Sequence, residues 1–338
     1  MRKITRSART RLTSVIVVMA ITLGCNDTVS PARVVTDGVA LTQAQFSAWS
    51  VAASIETVPG THPNFNTPSN DGCPFVSRDG KTFYMASNRT GTMGGLDIWV
   101  STRENESAGW SEPVNVESIN STADDFCPTI SRDGHLFYFV SRRSGGCGQG
   151  DIYVSRRRSD SDFEQPELLP CDASAPYDAV NSPFDEFSPF PLPQAWTGPV
   201  LYFSSFRPAG FAADGATADS DIYMSESHGG IFGQAQLVAG VNSDVDDGQP
   251  NVRADGQEIF FYSTRVIPGV SLGAADLYSA TRESNSQPWS GVANLGANVN
   301  SNAGETRPSL SWDGHTLYFG STRAGSNDIY FTTRVRQP

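Results

Sequence analysis

Five carboxylates, Asp71, Asp125, Glu186, Asp247 and Glu305, recur at intervals of 54, 61, 61 and 58 residues. Each stands in the same frame, Asn-(Ser/Thr)-x-x-x-(Asp/Glu)-x-x-Pro, whose copies begin at Asn66, Asn120, Asn181, Asn242 and Asn300. Further acids crowd three of the copies, as Asp124, Asp185 and Asp246. Gathered on one surface, such groups could ligate a hard cation such as Ca²⁺ or hydrogen-bond the hydroxyls of a glycan. A pair of them in one pocket could serve as the two carboxyl groups of glycosidic cleavage. The structural alternative is turn capping, in which Asn and Asp side chains bond nearby backbone groups. Fivefold repetition favours the scaffold, because a catalytic residue should depart from a repeat.

A second set places an Arg and an Asp at the two ends of a Gly-rich loop. The pairs are Arg89 with Asp97, Arg143 with Asp151, Arg207 with Asp221, Arg265 with Asp276, and Arg323 with Asp328. Residues flanking the loop of an antiparallel hairpin face one another. Each Arg is therefore expected to bind its Asp bidentately and tie the loop down.

Self-similarity at this period marks a repeat architecture. A unit opens with Pro-x-(Val/Ile)-Ser-x-Asp-Gly, as in Pro74 to Gly80, Pro128 to Gly134 and Pro308 to Gly314. Asp-Gly between β-prone runs is a hairpin signal. An aromatic run such as Leu136-Phe-Tyr-Phe-Val-Ser141 follows, apolar enough to be buried on both faces. Asp-(Ile/Leu)-(Tyr/Trp) starts a third strand, and a fourth begins near Trp110, Phe163, Phe232 or Trp289. The third unit departs, with Pro189 to Gly198 in place of the Asp-Gly turn. Four antiparallel strands repeated five times predict an all-β, five-bladed β-propeller.

The chain ends complete this picture. The last unit stops at Arg334 to Pro338, after its third strand, while Phe46-Ser-Ala-Trp-Ser50 precedes the first unit. The segment from about 46 to 58 is expected to complete the last blade and remove an open sheet edge. In that topology the Gly-rich loops and the blade-to-blade linkers share one face, called here the linker face. The Asp-Gly turns lie on the opposite, turn face. Asp71, Asp125, Glu186, Asp247 and Glu305 then surround the linker face.

Cys73 and Cys127 precede equivalent prolines in neighbouring blades, and Cys147 and Cys171 both fall on the linker face of one blade. Disulfides 73–127 and 147–171 are the expected pairs. No Cys-x-x-Cys is present, which disfavours a zinc site.

Arg2, Lys3, Arg6, Arg9 and Arg11 precede an apolar run from Leu12 to Leu23 and then Gly24-Cys25. The run is too short for a membrane span, which takes roughly 20 residues, and reads as a signal peptide. Thr22-Leu23-Gly24-Cys25 resembles a bacterial lipobox, with Thr22 where that motif commonly has Leu. Residues 1–25 are thus expected to be a leader, Cys25 the lipidated residue, 26–45 a tether and 46–338 the propeller. The chain carries −12 and its first 25 residues +5, so the remainder carries −17. Such a polyanion should repel nucleic acid and anionic membrane surfaces.

The unit Ser-x-Asp-Gly-x-x-Leu-Tyr-Phe-x-Ser-x-Arg…Asp-Ile-Tyr resembles the WD40-like repeat called PD40, found in TolB-type periplasmic proteins. The resemblance spans residues 66 to 334, implies a propeller in the cell envelope, and transfers no catalytic residue. No Gly-x-Ser-x-Gly, phosphate loop or metal-binding His pair is present, and only four histidines occur. The near-equivalence of the five linkers leads to an expected non-catalytic role. The protein would be a monomeric envelope lipoprotein docking a protein or a glycan on its linker face, with no cofactor beyond a Ca²⁺ ion. The rival is a carbohydrate-active enzyme using axial carboxylates. Departures from the repeat that merit attention are Trp196, Phe206, Phe211 and Asp214.

Overall fold

A computed structural model describes residues 46–171, 179–193, 198–208 and 219–337. These form five four-stranded antiparallel sheets, the blades of a propeller, as the repeat predicts. Blade 1 contains Asp71–Val76, Thr82–Ser87, Asp97–Thr102 and Val114–Asn115, from the axis outwards. The corresponding innermost strands of blades 2 to 5 are Asp125–Ile130, Glu186–Leu192, Asp247–Val252 and Glu305–Leu310.

The second strands explain why the blades stack. Thr82–Ser87 and Val200–Ser205 are buried at every position, because neighbouring blades cover both of their faces. Tyr84 of blade 1 meets Phe137 of blade 2 edge-to-face at 5.1 Å. Each such ring removed from water contributes about 1.5–3 kcal/mol. The Asn that opens each repeat joins blades by a second route. Asn120 Oδ1 accepts from Ile98 N–H and its Nδ2 donates to Ile98 C=O, both at 2.9 Å. Asn66, Asn181, Asn242 and Asn300 grip Ile329, Ile152, Ile222 and Leu277 in the same two-handed way.

The head of the described chain fills the gap at its tail. Ala53–Ser54 pairs with Asp328–Thr333, so the last sheet is built from both ends. Ser47 N–H donates to Val335 C=O and Ser50 N–H to Thr333 C=O, each at 2.8 Å. Trp49 packs against Phe260 at 5.9 Å, under the Arg334 guanidinium at 4.5 Å.

Both expected disulfides are formed, with Cα–Cα separations of 4.7 Å for Cys73–Cys127 and 6.0 Å for Cys147–Cys171. Neighbouring blades come close enough for the first bond because their innermost strands converge on the axis. Each innermost strand also bulges at its third residue. Cys73, Cys127, Ser188, Gln249 and Arg307 all have φ between 48° and 57°. Positive φ is uncommon for non-glycine residues. Here it accompanies a register shift in every blade and re-aims one side chain per blade.

Candidate functional site

The linker face is built from the repeated acids, and their partners differ from the sequence expectation. In blade 2, Asp125 accepts from Ser121 N–H at 2.6 Å, Ser121 Oγ at 2.7 Å and Arg143 Nη2 at 2.7 Å. Thr67–Asp71–Arg89, Ser182–Glu186–Arg207, Ser243–Asp247–Arg265 and Ser301–Glu305–Arg323 repeat the arrangement. The pairings Arg89–Asp97, Arg143–Asp151, Arg207–Asp221, Arg265–Asp276 and Arg323–Asp328 are therefore corrected. Each Arg turns towards the innermost strand and binds the acid that opens it.

The reason lies at the loop. Asp97 is occupied by Met93 N–H, Gly94 N–H and Asn115 Nδ2. Asp276 is held likewise by Leu272 N–H, Gly273 N–H and Asn294 Nδ2. Gly148 N–H donates to Asp151, and Ser326 Oγ to Asp328. Asp221 differs, since its Oδ1 is buried with no hydrogen-bond partner among the described residues.

A second correction follows. Asp71, Asp125, Glu186, Asp247 and Glu305 have no exposed surface and are saturated by hydroxyl, amide and guanidinium donors. They cap their linkers and brace the innermost strands, and do not form an open ring for a cation or a glycan. Among the described residues, no group of three or more His, Cys, Asp or Glu side chains is placed to hold a metal ion. Burial pushes Glu186 up to about 7, although Arg207 and the hydroxyls of Ser182 and Ser205 pull the other way. Burial, then the charges of Asp219, Asp247 and Asp246, push Asp221 up to about 7 as well.

The carboxylates that face outwards are the second-row acids. Asp124, Asp185 and Asp246 are partly exposed at equivalent positions of blades 2, 3 and 4. Leu96 N–H donates to Asp124 Oδ1 at 2.9 Å, and Arg142 Nη1 to its Oδ2 at 3.3 Å. The same guanidinium lies 3.8 Å from Asp185 through Nη2, so the two carboxylates flank one cation. Asp185 Oδ1 is buried without a hydrogen-bond partner among the described residues. Beside them, Phe187 and Phe206 lie ring to ring at 5.5 Å, both partly exposed, and Arg142 covers Phe126 at 5.6 Å. Two acids, a guanidinium and an aromatic pair thus share the linker face of blades 2 and 3. Such a surface can stack a sugar ring, bond its hydroxyls and exchange protons with it.

Phe206 was singled out by the sequence, but Arg142 and Phe187 were missed. The signal for Arg142 was readable, since it stands where the other repeats have Asn88, Phe206, Thr264 and Thr322. Trp196, Phe211 and Asp214 lie outside the described residues, as does Cys25. On the turn face, Trp312 and Arg78 line two clefts of about 430 and 230 Å³. The Ser131 hydroxyl holds the neighbouring Asp133 below its usual range.

No protein-family model matches the sequence, and no curated protein matches it. Solved structures do match. The catalytic domain of a Coprinopsis cinerea GH62 α-L-arabinofuranosidase aligns at TM-score 0.55 and 12% identity, over 86% of this chain and 98% of that one. A glycoside hydrolase aligns at TM-score 0.54 and 14% identity, over 89% and 94%. An α-L-arabinofuranosidase from Lactobacillus brevis aligns at TM-score 0.52 and 11% identity, over 81% and 94%. Identities this low establish the shared wheel and nothing finer. The expectation of a purely docking, non-catalytic module is corrected on these matches, since solved propellers that share this wheel include glycoside hydrolases.

Proposed function

We propose that this chain is a carbohydrate-active enzyme that cleaves a glycan on its linker face between blades 2 and 3. The observation that carries the reading is the pair Asp124 and Asp185, partly exposed across Arg142 beside Phe187 and Phe206. Glycosidic cleavage needs two carboxyl groups on opposite sides of the scissile bond. Asp124, fed by two donors, takes the part of the carboxylate that activates water or attacks the anomeric carbon. Asp185, whose contact to Arg142 is the longer at 3.8 Å, takes the part of the proton donor. The aromatic pair supplies the stacking surface. The structural neighbours support arabinose- and galactose-containing polymers as the first substrates to try, since they include an arabinofuranosidase, an arabinanase and a galactanase.

The finer reading of the repeat as PD40, and of Cys25 as a lipid anchor holding the enzyme at the cell envelope, belongs to the same proposal. It rests on the repeat consensus and on the basic, then apolar, leader. The test is incubation of the mature chain with arabinan, arabinoxylan and galactan while released sugars are measured. Sugar release supports the proposal. A folded protein inert on all three, and on a wider glycan panel, overturns it.

A further inference from the structure

The axis of the wheel holds a feature unconnected with the second-row acids. The bulge in each innermost strand sends one side chain towards the central channel, and four of these five have found partners. Cys73 and Cys127 are bonded to each other. Ser188 Oγ donates to Cys127 Sγ at 3.4 Å. Gln249 Oε1 accepts from Arg307 N–H at 2.7 Å.

The fifth is Arg307, whose guanidinium has no hydrogen bond or ion pair among the described residues. Its Nε is buried and unsatisfied. Desolvation weakens its hold on its proton, and the nearby Tyr262 hydroxyl acts the other way. Gly72 of the adjoining blade makes room for it, since a Cβ there would stand 3.4 Å from Arg307 Nη1. A second orphan lines the same channel: Thr129 is 3% exposed, and its hydroxyl has no hydrogen-bond partner among the described residues. The channel cavity measures about 40 Å³ and no carboxylate lines it.

Arg307 is partly exposed while its Nε is wholly buried, and a charge so largely removed from water is costly without a partner. Among the described residues, no carboxylate of this acidic chain pairs with it. We propose that the central channel is a binding site for one small monovalent anion, a halide or a carboxylate group, held by Arg307. The cavity exceeds the roughly 10–15 Å³ one water requires, and a sugar ring cannot enter it. The ion would complete the axis where the blades converge, joining blade 5 to its neighbours without any contact to Asp124 or Asp185.

The test is thermal unfolding of the full mature chain, titrated with sodium bromide or sodium acetate at fixed ionic strength. Sodium HEPES, too bulky for the cavity, makes up the balance. The expected result is a saturable rise in Tm with one or both anions, and at least a tenfold weaker apparent affinity in Arg307→Met. Saturation by bromide alone identifies a halide site, and saturation by acetate a carboxylate site. Should Arg307→Met fail to fold, crystals of the unaltered protein grown in bromide decide the question. One anomalous peak beside Arg307 upholds the proposal. Tm changes that never saturate, equal affinities in protein and variant, or bromide peaks only at other sites overturn it.

Discussion

The corrected pairing of the linker-face arginines can be tested as an energy. Arg143 Nη2 lies 2.7 Å from Asp125 Oδ1, with the Asp125 side chain fully enclosed and that of Arg143 18% exposed. Breaking such a pair by removing one partner costs about 3–5 kcal/mol, because the other charge stays buried. A charge-assisted hydrogen bond of this kind is worth about 1.5–3 kcal/mol. Asp151, the partner expected from the hairpin alone, is bound by Gly148 N–H, while the Arg143 guanidinium goes to Ser141, Ile119 C=O and Asp125. Two double-mutant cycles separate these readings, one with Arg143→Met and Asp125→Asn, the other with Arg143→Met and Asp151→Asn. Stability is read from urea unfolding with m-values checked for constancy. The first cycle should give a coupling of about 1.5–3 kcal/mol, and the second should stay near the ~0.5 kcal/mol of sites that share no partner. A larger coupling in the second cycle than in the first would refute the reasoning.

Three further outcomes are expected. Asp221 has a folded-state pKa raised to about 7 from an ordinary 3.8, so the folded chain binds the extra proton and stability falls as pH rises through that window. Asp221→Asn should therefore remove part of the decline between pH 5 and pH 8, on the order of 3 kcal/mol, and urea melts at both pH values check it. A variant less stable than the parent at pH 8 counts against this. Trp49→Ala should cost about 3–5 kcal/mol, since the ring sits between Phe260 and Arg334 at the closing blade. A loss below about 0.5 kcal/mol, typical of a surface change, would mean the closure does not depend on it. Cys147→Ser with Cys171→Ser, opening a bridge of sequence separation 24, should cost about 2–4 kcal/mol in denaturant. An unchanged midpoint would show the bridge is dispensable.

The wheel was legible because the repeat states its own register. Asp-Gly turns, doubly buried aromatic strands and the fixed Asn-to-Pro frame left little freedom in strand order. The truncated last unit and the orphan Phe46 to Ser50 pointed to closure. The cysteine pairs were readable too, since Cys73 and Cys127 hold equivalent positions in adjacent blades and Cys147 and Cys171 share the linker face of one blade. The arginine partners were not readable. Ser87 pairs with Asp71 on one side and Asp97 on the other, so Arg89, two residues on, can turn either way. Only the loop amides that saturate Asp97 decide it. The outward acids were seen as a list but not ranked, because the spacing of Asp124 and Asp125 does not say which one reaches solvent. The bulge residue always precedes the Pro of the repeat frame, but nothing in that frame says that its φ turns positive and aims Arg307 at the channel.

The most direct measurement of the functional reading is the initial rate of sugar release by the mature chain and its Asp124→Asn and Asp185→Asn variants, all verified as folded. Loss of a positioned acid or base lowers such rates by about 10²–10⁴-fold. Release by the parent with a drop of that size in both variants is the expected result. Undiminished release by either variant, or none from the folded parent, would place the chemistry elsewhere or nowhere on this wheel.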